Sequence, residues 1–176
     1  QAAWEAAIVK YLATDEFGFM AIKNKETDIY YPGVDETKVN MEIGTLISRM
    51  GPGEDQIQAA IGLSSMATPA LGAQYQSASA KPDKDTVTLT GLATPNALKT
   101  YIKDDENPMN SGMLWNCMDL GYLAVQAAYQ LTKGDITTES TSIMAGRLGE
   151  KEIADCECVL GDALIFDQSN VDDFNY

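Results

Sequence analysis

The spacing of apolar residues along the chain follows two different periods. In residues 2–12 they recur every three or four positions, which is typical of a helix that buries one side. Residues 27–31 and 86–92 are instead rich in β-branched and aromatic side chains, which favour strands. Extended along the chain, these criteria predict helices over residues 2–12, 35–50, 68–80, 94–103 and 118–132, and strands over residues 27–31, 57–63, 86–92 and 112–115.

Turn and capping residues support these boundaries. Asp35 is a candidate N-cap, and the sequence GPG at residues 51–53 ends the helix that follows it. Thr94 and Pro95 fit the N-cap and first position of another helix, and a Lys-Gly pair at residues 133–134 ends the last one. Residues 14–26 are less regular, and residues 17–22 fit either a strand or a turn of helix.

The order of the predicted elements defines the fold class. Strands and helices alternate as far as residue 132, which is typical of an α/β protein with a parallel sheet flanked by helices. From Ser142 onward the pattern changes to short strands and turns. The chain opens directly on a helical pattern at its first residues, without a charged segment followed by an apolar one. It therefore reads as though it began within a domain.

Composition and charge exclude several classes of function. The chain has 176 residues, 45% of them apolar, and a formal charge of −14. This charge opposes binding to nucleic acid or to anionic lipid, and no apolar run reaches the roughly 18 residues that a bilayer requires. Histidine is absent, which removes the usual general base and the commonest metal ligand. The odd cysteine count, with Cys117, Cys156 and Cys158, predicts no disulfide framework.

Known catalytic and metal-binding motifs are missing from the sequence. It contains no phosphate-binding loop, no dinucleotide fingerprint and no nucleophile elbow, and its Asp-rich runs lack the spacing of a calcium loop. The carboxylates of those runs are expected to be solvated in turns. Cys156 and Cys158 alone make a poor metal site, so we expect neither a metal nor a cofactor, and no catalytic residue.

Candidate binding residues follow the predicted strands. Parallel sheets bind ligands at the carboxyl ends of their strands, where this chain has LSS at residues 63–65, LA at residues 92–93 and WN at residues 115–116. Small hydrogen-bonding side chains beside one large ring suit a neutral polyhydroxyl ligand. In the alternative interpretation, Ser64 and Ser65 only cap the next helix and Trp115 fills the core.

Four segments resemble one known family. They are TGLATPNALKTYIKD (residues 90–104), LWNCMDLGYLAVQAAYQLTKGDI (residues 114–136), AGRLGE (residues 145–150) and IFDQSNVDDFNY (residues 165–176). In order and spacing they are similar to the solute-binding proteins of sugar ABC importers, within which they look most like the rhamnose-binding and autoinducer-2-binding branch. The resemblance covers nearly all of the chain and is weakest between residues 14 and 40.

The resemblance implies a periplasmic-binding-protein-like (type I) fold that is incomplete. Members of that family have two lobes joined by crossing strands, and this chain aligns with the C-terminal half only. It implies that residues 1–114 form part of the second lobe, that residues 115–161 belong to the first lobe, and that residues 162–176 cross back. The apolar helix over residues 120–131 would then need a partner, either the N-terminal half of the same protein or a second copy.

The resemblance also implies ligand-binding residues. Gln1 occupies the position of a binding amide, and Leu63 and Ser65 lie in a turn that contacts ligand, although Leu63 departs from the usual polar residue or proline. Trp115 would stack on the ligand and Asn116 would accept a ligand hydroxyl. Asp119 is expected to cap the helix that follows.

The implied function is non-enzymatic. The chain resembles part of a periplasmic or extracellular protein, either free or anchored to the membrane as a lipoprotein, that binds a small sugar or sugar-like ligand and delivers it to ABC permease subunits. An alternative is the ligand-sensing domain of a sugar-responsive transcriptional repressor, which shares the two-lobe fold. An enzyme on a doubly wound sheet is a third class, and the missing histidine and phosphate loops argue against it.

Overall fold

The computed structural model describes residues 2–22 and 28–176, which divide into two compact units, residues 1–33 and 34–176. In the first unit, helix α1 spans Ala2–Leu12, as predicted, and a short 3-10 turn follows at Asp15–Phe17. Residues 18–22 form no strand.

The strand predicted over residues 27–31 is wrong where it can be judged. Residue 27 lies outside the described residues, residues 28 and 29 form a bend, and residues 30 and 31 have no regular structure. The Tyr31 hydroxyl donates a hydrogen bond to the Glu5 carboxylate on α1. That bond is the main reason why the pKa of Tyr31 is raised. β-branched and aromatic content favours a strand only where a neighbouring strand is available to pair with it.

The second unit contains the remaining elements. The predicted helices and strands from residue 35 onward are confirmed, with ends that shift by a few residues. The helices are α2 (Glu36–Ser48), α3 (Ala67–Ser77), α4 (Pro95–Ile102) and α5 (Cys117–Lys133). The strands are β1 (Ala59–Gly62), β2 (Thr88–Gly91), β3 (Ser111–Leu114), β4 (Ser142–Met144), β5 (Glu150–Ala154), β6 (Glu157–Cys158) and β7 (Leu164–Asp167).

The helix ends follow the predicted capping chemistry at two of three positions. The Asp35 carboxylate accepts a hydrogen bond of 3.0 Å from the Lys38 backbone nitrogen, and α5 ends at Gly134 as expected. Thr94 precedes α4, but its hydroxyl makes no capping bond. The start of α4 therefore depends on Pro95, whose fixed backbone angle suits a first helical position.

The main sheet combines parallel and antiparallel pairing. Strands β1 and β2 are parallel, with Gly62 opposite Gly91. Strand β3 lies beside β2 through parallel bridges, among them that between Leu92 and Met113, which confirms the predicted parallel order. Strand β7 then returns along the other side of β3 in the antiparallel direction. The chain thus leaves the main sheet after β3 and re-enters it at β7.

One face of this sheet carries the main core. Leu89 and Phe166 are fully buried there and pack with apolar residues of α2, α3 and α4. The alternate residues point the other way and are exposed, including Ile61, Met113 and Ile165. Among residues 34–176, the helices therefore bury one face of the sheet against a single continuous core.

A second, smaller core lies between α5 and strands β4 to β6. Its buried members are Leu123, Ile136, Ile143 and Ala145. The other side of α5 is exposed, as the sequence predicts, with 68% of Val125 and 53% of Leu131 open to solvent. Helix α5 thus buries one side in the second core, while its other side carries apolar residues that are exposed.

Candidate ligand site at the carboxyl edge of the sheet

The carboxyl ends of β1, β2 and β3 meet at one edge of the sheet. Gly62 pairs with Gly91 at the ends of the first two strands, and Leu92 pairs with Met113 near the end of the third. The segments that follow these strands carry the predicted residues Leu63, Ser65, Trp115 and Asn116. The structure therefore brings four of the five predicted binding residues to one edge of the sheet, and Gln1 lies outside the described residues.

A close backbone approach holds the ends of β1 and β2 together. Gly91 has a φ of +150°, and a Cβ on it would lie 2.1 Å from the Gly62 carbonyl oxygen. The buried Thr68 hydroxyl lies 3.0 Å from that same oxygen and 2.9 Å from the Leu92 carbonyl oxygen. Thr68 was not identified from the sequence, although a glycine at the end of each strand is a visible signal of close approach.

The serines after β1 have different roles. The Ser64 hydroxyl accepts a 3.0 Å hydrogen bond from the Ala67 backbone nitrogen, so the capping interpretation is confirmed for Ser64. Ser65 is exposed, and its hydroxyl bonds no residue in the described part of the chain. Leu63 is also exposed, at 39%, which is high for a leucine beside a core strand. Ser65 and Leu63 are thus open to a ligand.

Trp115 does not fill the core. Its side chain is 38% exposed, whereas Leu114 directly before it is buried. The alternation along β3 explains this, because successive side chains point to opposite sides of a strand. The ring is large and partly open to solvent at the edge where parallel sheets bind ligands.

Asn116, and not Asp119, caps helix α5. The Asn116 side-chain oxygen accepts hydrogen bonds of 3.1 Å from the backbone nitrogens of Met118 and Asp119. The predicted capping role of Asp119 is wrong, because Asp119 lies within the helix while the N-cap must precede it. Two N–H groups already occupy the Asn116 oxygen, so the part of this side chain left for a ligand is the donor Nδ2.

The Asp119 carboxylate is used elsewhere. It forms an ion pair of 2.6 Å with Arg147, which belongs to the AGRLGE segment. The Arg147 guanidinium also lies 4.6 Å from the centre of the Tyr122 ring, one turn further along α5. This segment therefore docks on the first turns of α5. Sequence reasoning did not assign a role to Arg147.

Tyr176 also reaches this region. Its hydroxyl is buried, and no residue of the described ranges hydrogen bonds to it. Burial is the main reason why the pKa of Tyr176 is raised. The Tyr176 carbonyl oxygen accepts a 3.3 Å hydrogen bond from the Asn96 backbone nitrogen at the start of α4. The segment after β7 is thereby held between the start of α4 and the start of α5.

Other candidate sites are weaker. A cleft of about 490 Å³ lies at the opposite, amino edge of the sheet, where Asp104, Asp105 and Asp167 line it, and this acidic surface is far from the predicted residues. Within residues 2–22 and 28–176, no three potential metal ligands cluster together. Across the same residues, every helix is too short or too polar to cross a bilayer.

Comparison with known proteins relates the fold to a class of binding proteins. No protein-family model matches the chain, and no curated protein is significantly similar to it. Among solved structures, a sugar ABC transporter protein from Actinomyces odontolyticus superimposes on the whole chain with a TM-score of 0.77 and 26% identity. The chain covers 53% of that protein.

Two further structures have similar scores. LsrB from Clostridium saccharobutylicum in complex with AI-2 matches all of the chain, with a TM-score of 0.77 and 21% identity. A solute-binding protein of an ABC transporter from Clostridium phytofermentas with bound L-rhamnose matches 99% of it, with a TM-score of 0.78 and 23% identity. The chain covers 55% of each.

The predicted resemblance to sugar-transporter solute-binding proteins is confirmed. The fold is α/β and periplasmic-binding-protein-like, and the chain spans about half the length of the structures that it matches. The main core combines residues between 39 and 114 with residues of β7 and the segment after it, whereas the second core is formed by residues between 123 and 160. The assignment of residues 115–161 to a different lobe stays a prediction.

Proposed function

We propose that the chain is part of a solute-binding protein that holds a small sugar or sugar-like molecule between two lobes. The observation that carries this proposal is the match of the whole chain to sugar-transporter proteins, one of them at 26% identity. Structures with AI-2 and with L-rhamnose bound share the same fold. The ligand would be delivered to ABC permease subunits from a periplasmic or extracellular location.

The chemistry of the carboxyl edge supports a neutral polyhydroxyl ligand. Trp115 offers a partly exposed ring that can cover the C–H face of a sugar, and Asn116 keeps Nδ2 as a donor beside it. Ser65 supplies an exposed hydroxyl after β1. We propose these three residues, with Leu63 as an apolar contact and Gln1 as a second amide, as the share of the site that this chain contributes.

The remaining share of the site would come from a companion half. The exposed apolar side of α5 supports this proposal, because contiguous apolar surface on a folded protein marks an interaction site. The matched structures are nearly twice as long as this chain, so their fold includes a region that could cover α5. We therefore expect the chain alone to bind sugar weakly or not at all.

Calorimetry with the full-length protein tests the function. L-rhamnose, AI-2 and a set of pentoses and deoxyhexoses are titrated into wild-type protein and into Trp115→Ala and Trp115→Phe variants. We expect binding of at least one of these ligands, a loss of tenfold or more in affinity for Trp115→Ala, at about 1.4 kcal/mol per tenfold, and a smaller loss for Trp115→Phe. The proposal is wrong if the full-length protein binds none of the ligands.

A further inference from the structure

We propose that Arg147 is a positioning residue for the ligand site, which it serves by holding the first turn of α5 and so fixing Trp115 and Asn116. The inference rests on the proposed function, since it assigns a task to a residue that supports the same edge. Arg147 lies in the short 3-10 turn Gly146–Leu148, whose neighbour Ala145 is part of the second core, and not at the edge itself.

The Arg147 side chain makes two contacts with residues of α5. Its Nη2 atom lies 2.6 Å from an Asp119 carboxylate oxygen, and its guanidinium carbon lies 4.6 Å from the centre of the Tyr122 ring. Asp119 and Tyr122 are three residues apart and therefore share one side of α5. A guanidinium donates within its plane and stacks across its face, so this pair of partners suits arginine better than lysine.

The backbone around Arg147 also contacts α5. The Arg147 backbone nitrogen donates a 3.4 Å hydrogen bond to the Tyr122 hydroxyl. Gly146 has a φ of +54°, and a Cβ on it would lie 2.3 Å from that hydroxyl. A side chain at position 146 would therefore force the Tyr122 ring to move, and the positive φ by itself favours glycine there. Contacts from both the side chain and the backbone converge on one helical turn.

Asp119 links Arg147 to the predicted binding residues. Its carboxylate is held by Arg147, while its backbone N–H is one of the two groups that Asn116 caps. Trp115 directly precedes Asn116 and leads the chain from β3 into this cap. A change at Arg147 releases the Asp119 side chain, loosens the first turn of α5, and leaves the Asn116 amide and the Trp115 ring less restrained.

The exposure of the Arg147–Asp119 ion pair indicates whether its loss mainly changes the stability of the fold or the restraint on Trp115. The Arg147 side chain is 54% exposed and that of Asp119 is 27% exposed. Pairs this close to solvent contribute little to global stability. Loss of Arg147 should therefore change the restraint on Trp115 more than it changes the unfolding midpoint.

Tryptophan fluorescence tests this inference without a ligand. The chain has two tryptophans, so Trp4→Phe leaves Trp115 as the single reporter. In that background, Arg147→Met should lower the fluorescence anisotropy of Trp115 and shift its emission. Arg147→Lys keeps the charge and should give an intermediate signal. Lys103→Met, which removes a comparably exposed ion pair with Asp172, is the matched control and should leave Trp115 unchanged.

Sugar affinity is the second measurement, made on the full-length protein. We expect Arg147→Met to weaken binding by about threefold to tenfold, with Arg147→Lys in between. An unchanged Trp115 signal together with unchanged affinity in Arg147→Met would overturn the inference, and a lowered melting temperature would then identify a purely structural role. If the wild type binds no sugar but Arg147→Met still alters Trp115, the proposed function fails while the positioning role stands.

Discussion

The Thr68 hydroxyl lies 2.9 Å from the carbonyl oxygen of Leu92, although 24 residues separate them along the chain. Thr68 is fully buried in the first turn of α3, and Leu92 directly follows β2. The same hydroxyl also lies 3.0 Å from the Gly62 carbonyl oxygen at the end of β1. The Gly62 oxygen already accepts a 2.8 Å hydrogen bond from the Leu92 backbone nitrogen, so the single Thr68 hydroxyl hydrogen is available for the Leu92 oxygen, at the edge where the ligand is proposed to bind.

Replacing Thr68 by valine should destabilise the protein. The valine keeps the shape of threonine but removes the hydroxyl that lies 2.9 Å from the Leu92 carbonyl oxygen, and leaving this partly buried oxygen without that donor costs about 1–3 kcal/mol in the free energy of unfolding. Thr68→Ser keeps the hydroxyl and loses only a methyl group, so its loss should be smaller. Urea denaturation measures both, and equal stability of Thr68→Val and wild type would show that the hydroxyl contributes nothing.

Gly91→Ala should destabilise the protein more than Thr68→Val does. The backbone at Gly91 has a φ of +150°, and the added Cβ would lie 2.1 Å from the rigid carbonyl of Gly62, so β1 and β2 must separate. We expect a loss of roughly 3 kcal/mol or more, comparable with severe overpacking. Circular dichroism during thermal unfolding measures the effect. A melting temperature within a degree of wild type would contradict the close approach of the two strands.

Asn116→Ala should affect both stability and binding. Loss of the cap on α5 costs about 1 kcal/mol, whereas Asn116→Asp keeps an acceptor oxygen and should cost much less. In the full-length protein, Asn116→Ala should also lose more sugar affinity than Asp119→Ala, because only Asn116 is proposed to touch the ligand. Equal affinity losses in calorimetry would place Asn116 outside the site.

Stability should depend on pH through Asp104. The Gln76 amide donates a 2.7 Å hydrogen bond to its carboxylate, and this bond is the main reason why the pKa of Asp104 is below its ordinary value of 3.8. A lowered folded-state pKa stabilises the fold above the ordinary value, and that stabilisation is lost as the pH falls through the folded-state value.

The variant Asp104→Asn should therefore have a flatter dependence of unfolding free energy on pH below about 4. Denaturant unfolding at a series of pH values between neutral and strongly acidic measures this slope. Identical slopes for wild type and Asp104→Asn would contradict the hydrogen-bonded carboxylate.

Gly121→Ala distinguishes the isolated chain from the full-length protein. A Cβ on Gly121 meets nothing within 4 Å, and alanine in a helix interior is favoured over glycine by about 1 kcal/mol. The 176-residue chain should therefore become more stable. If a companion half covers α5, the same substitution should be neutral or destabilising in the full-length protein. A matching gain in both proteins would show that this side of α5 remains open.

Local signals explain the parts of the fold that could be predicted from the sequence. The bounds of α2 and α5 follow from Asp35 and Gly134, because capping residues act within one turn of a helix. The resemblance implies that residues 162–176 cross back, but the antiparallel pairing of β7 with β3 was not predicted. That pairing joins Leu114 to Leu164, which are 50 positions apart, and no short-range pattern encodes which strand will lie beside another.

The candidate site was predictable to a similar extent. The rule that ligands bind at strand carboxyl ends located Ser65 and Trp115. The cap of α5 was assigned to Asp119 and not to Asn116, because both residue types cap helices well and the sequence places them three positions apart. The Asp119 carboxylate instead pairs with Arg147. Arg147 is 28 positions away in the sequence, and the turn that carries it is placed beside α5 by the second core.

The return of β7 has a consequence for how the protein is made. Phe166 is fully buried in the main core, yet it is synthesised after α5 and the whole of the small sheet that follows it. During translation, β3 cannot pair with β7 until some 50 further residues have left the ribosome. Until then Leu89 and Leu98 are not fully buried, because Phe166 belongs to the same core. Such non-local pairing slows folding and prolongs the exposure of apolar surface, so the nascent chain should depend on chaperones until its final strand emerges.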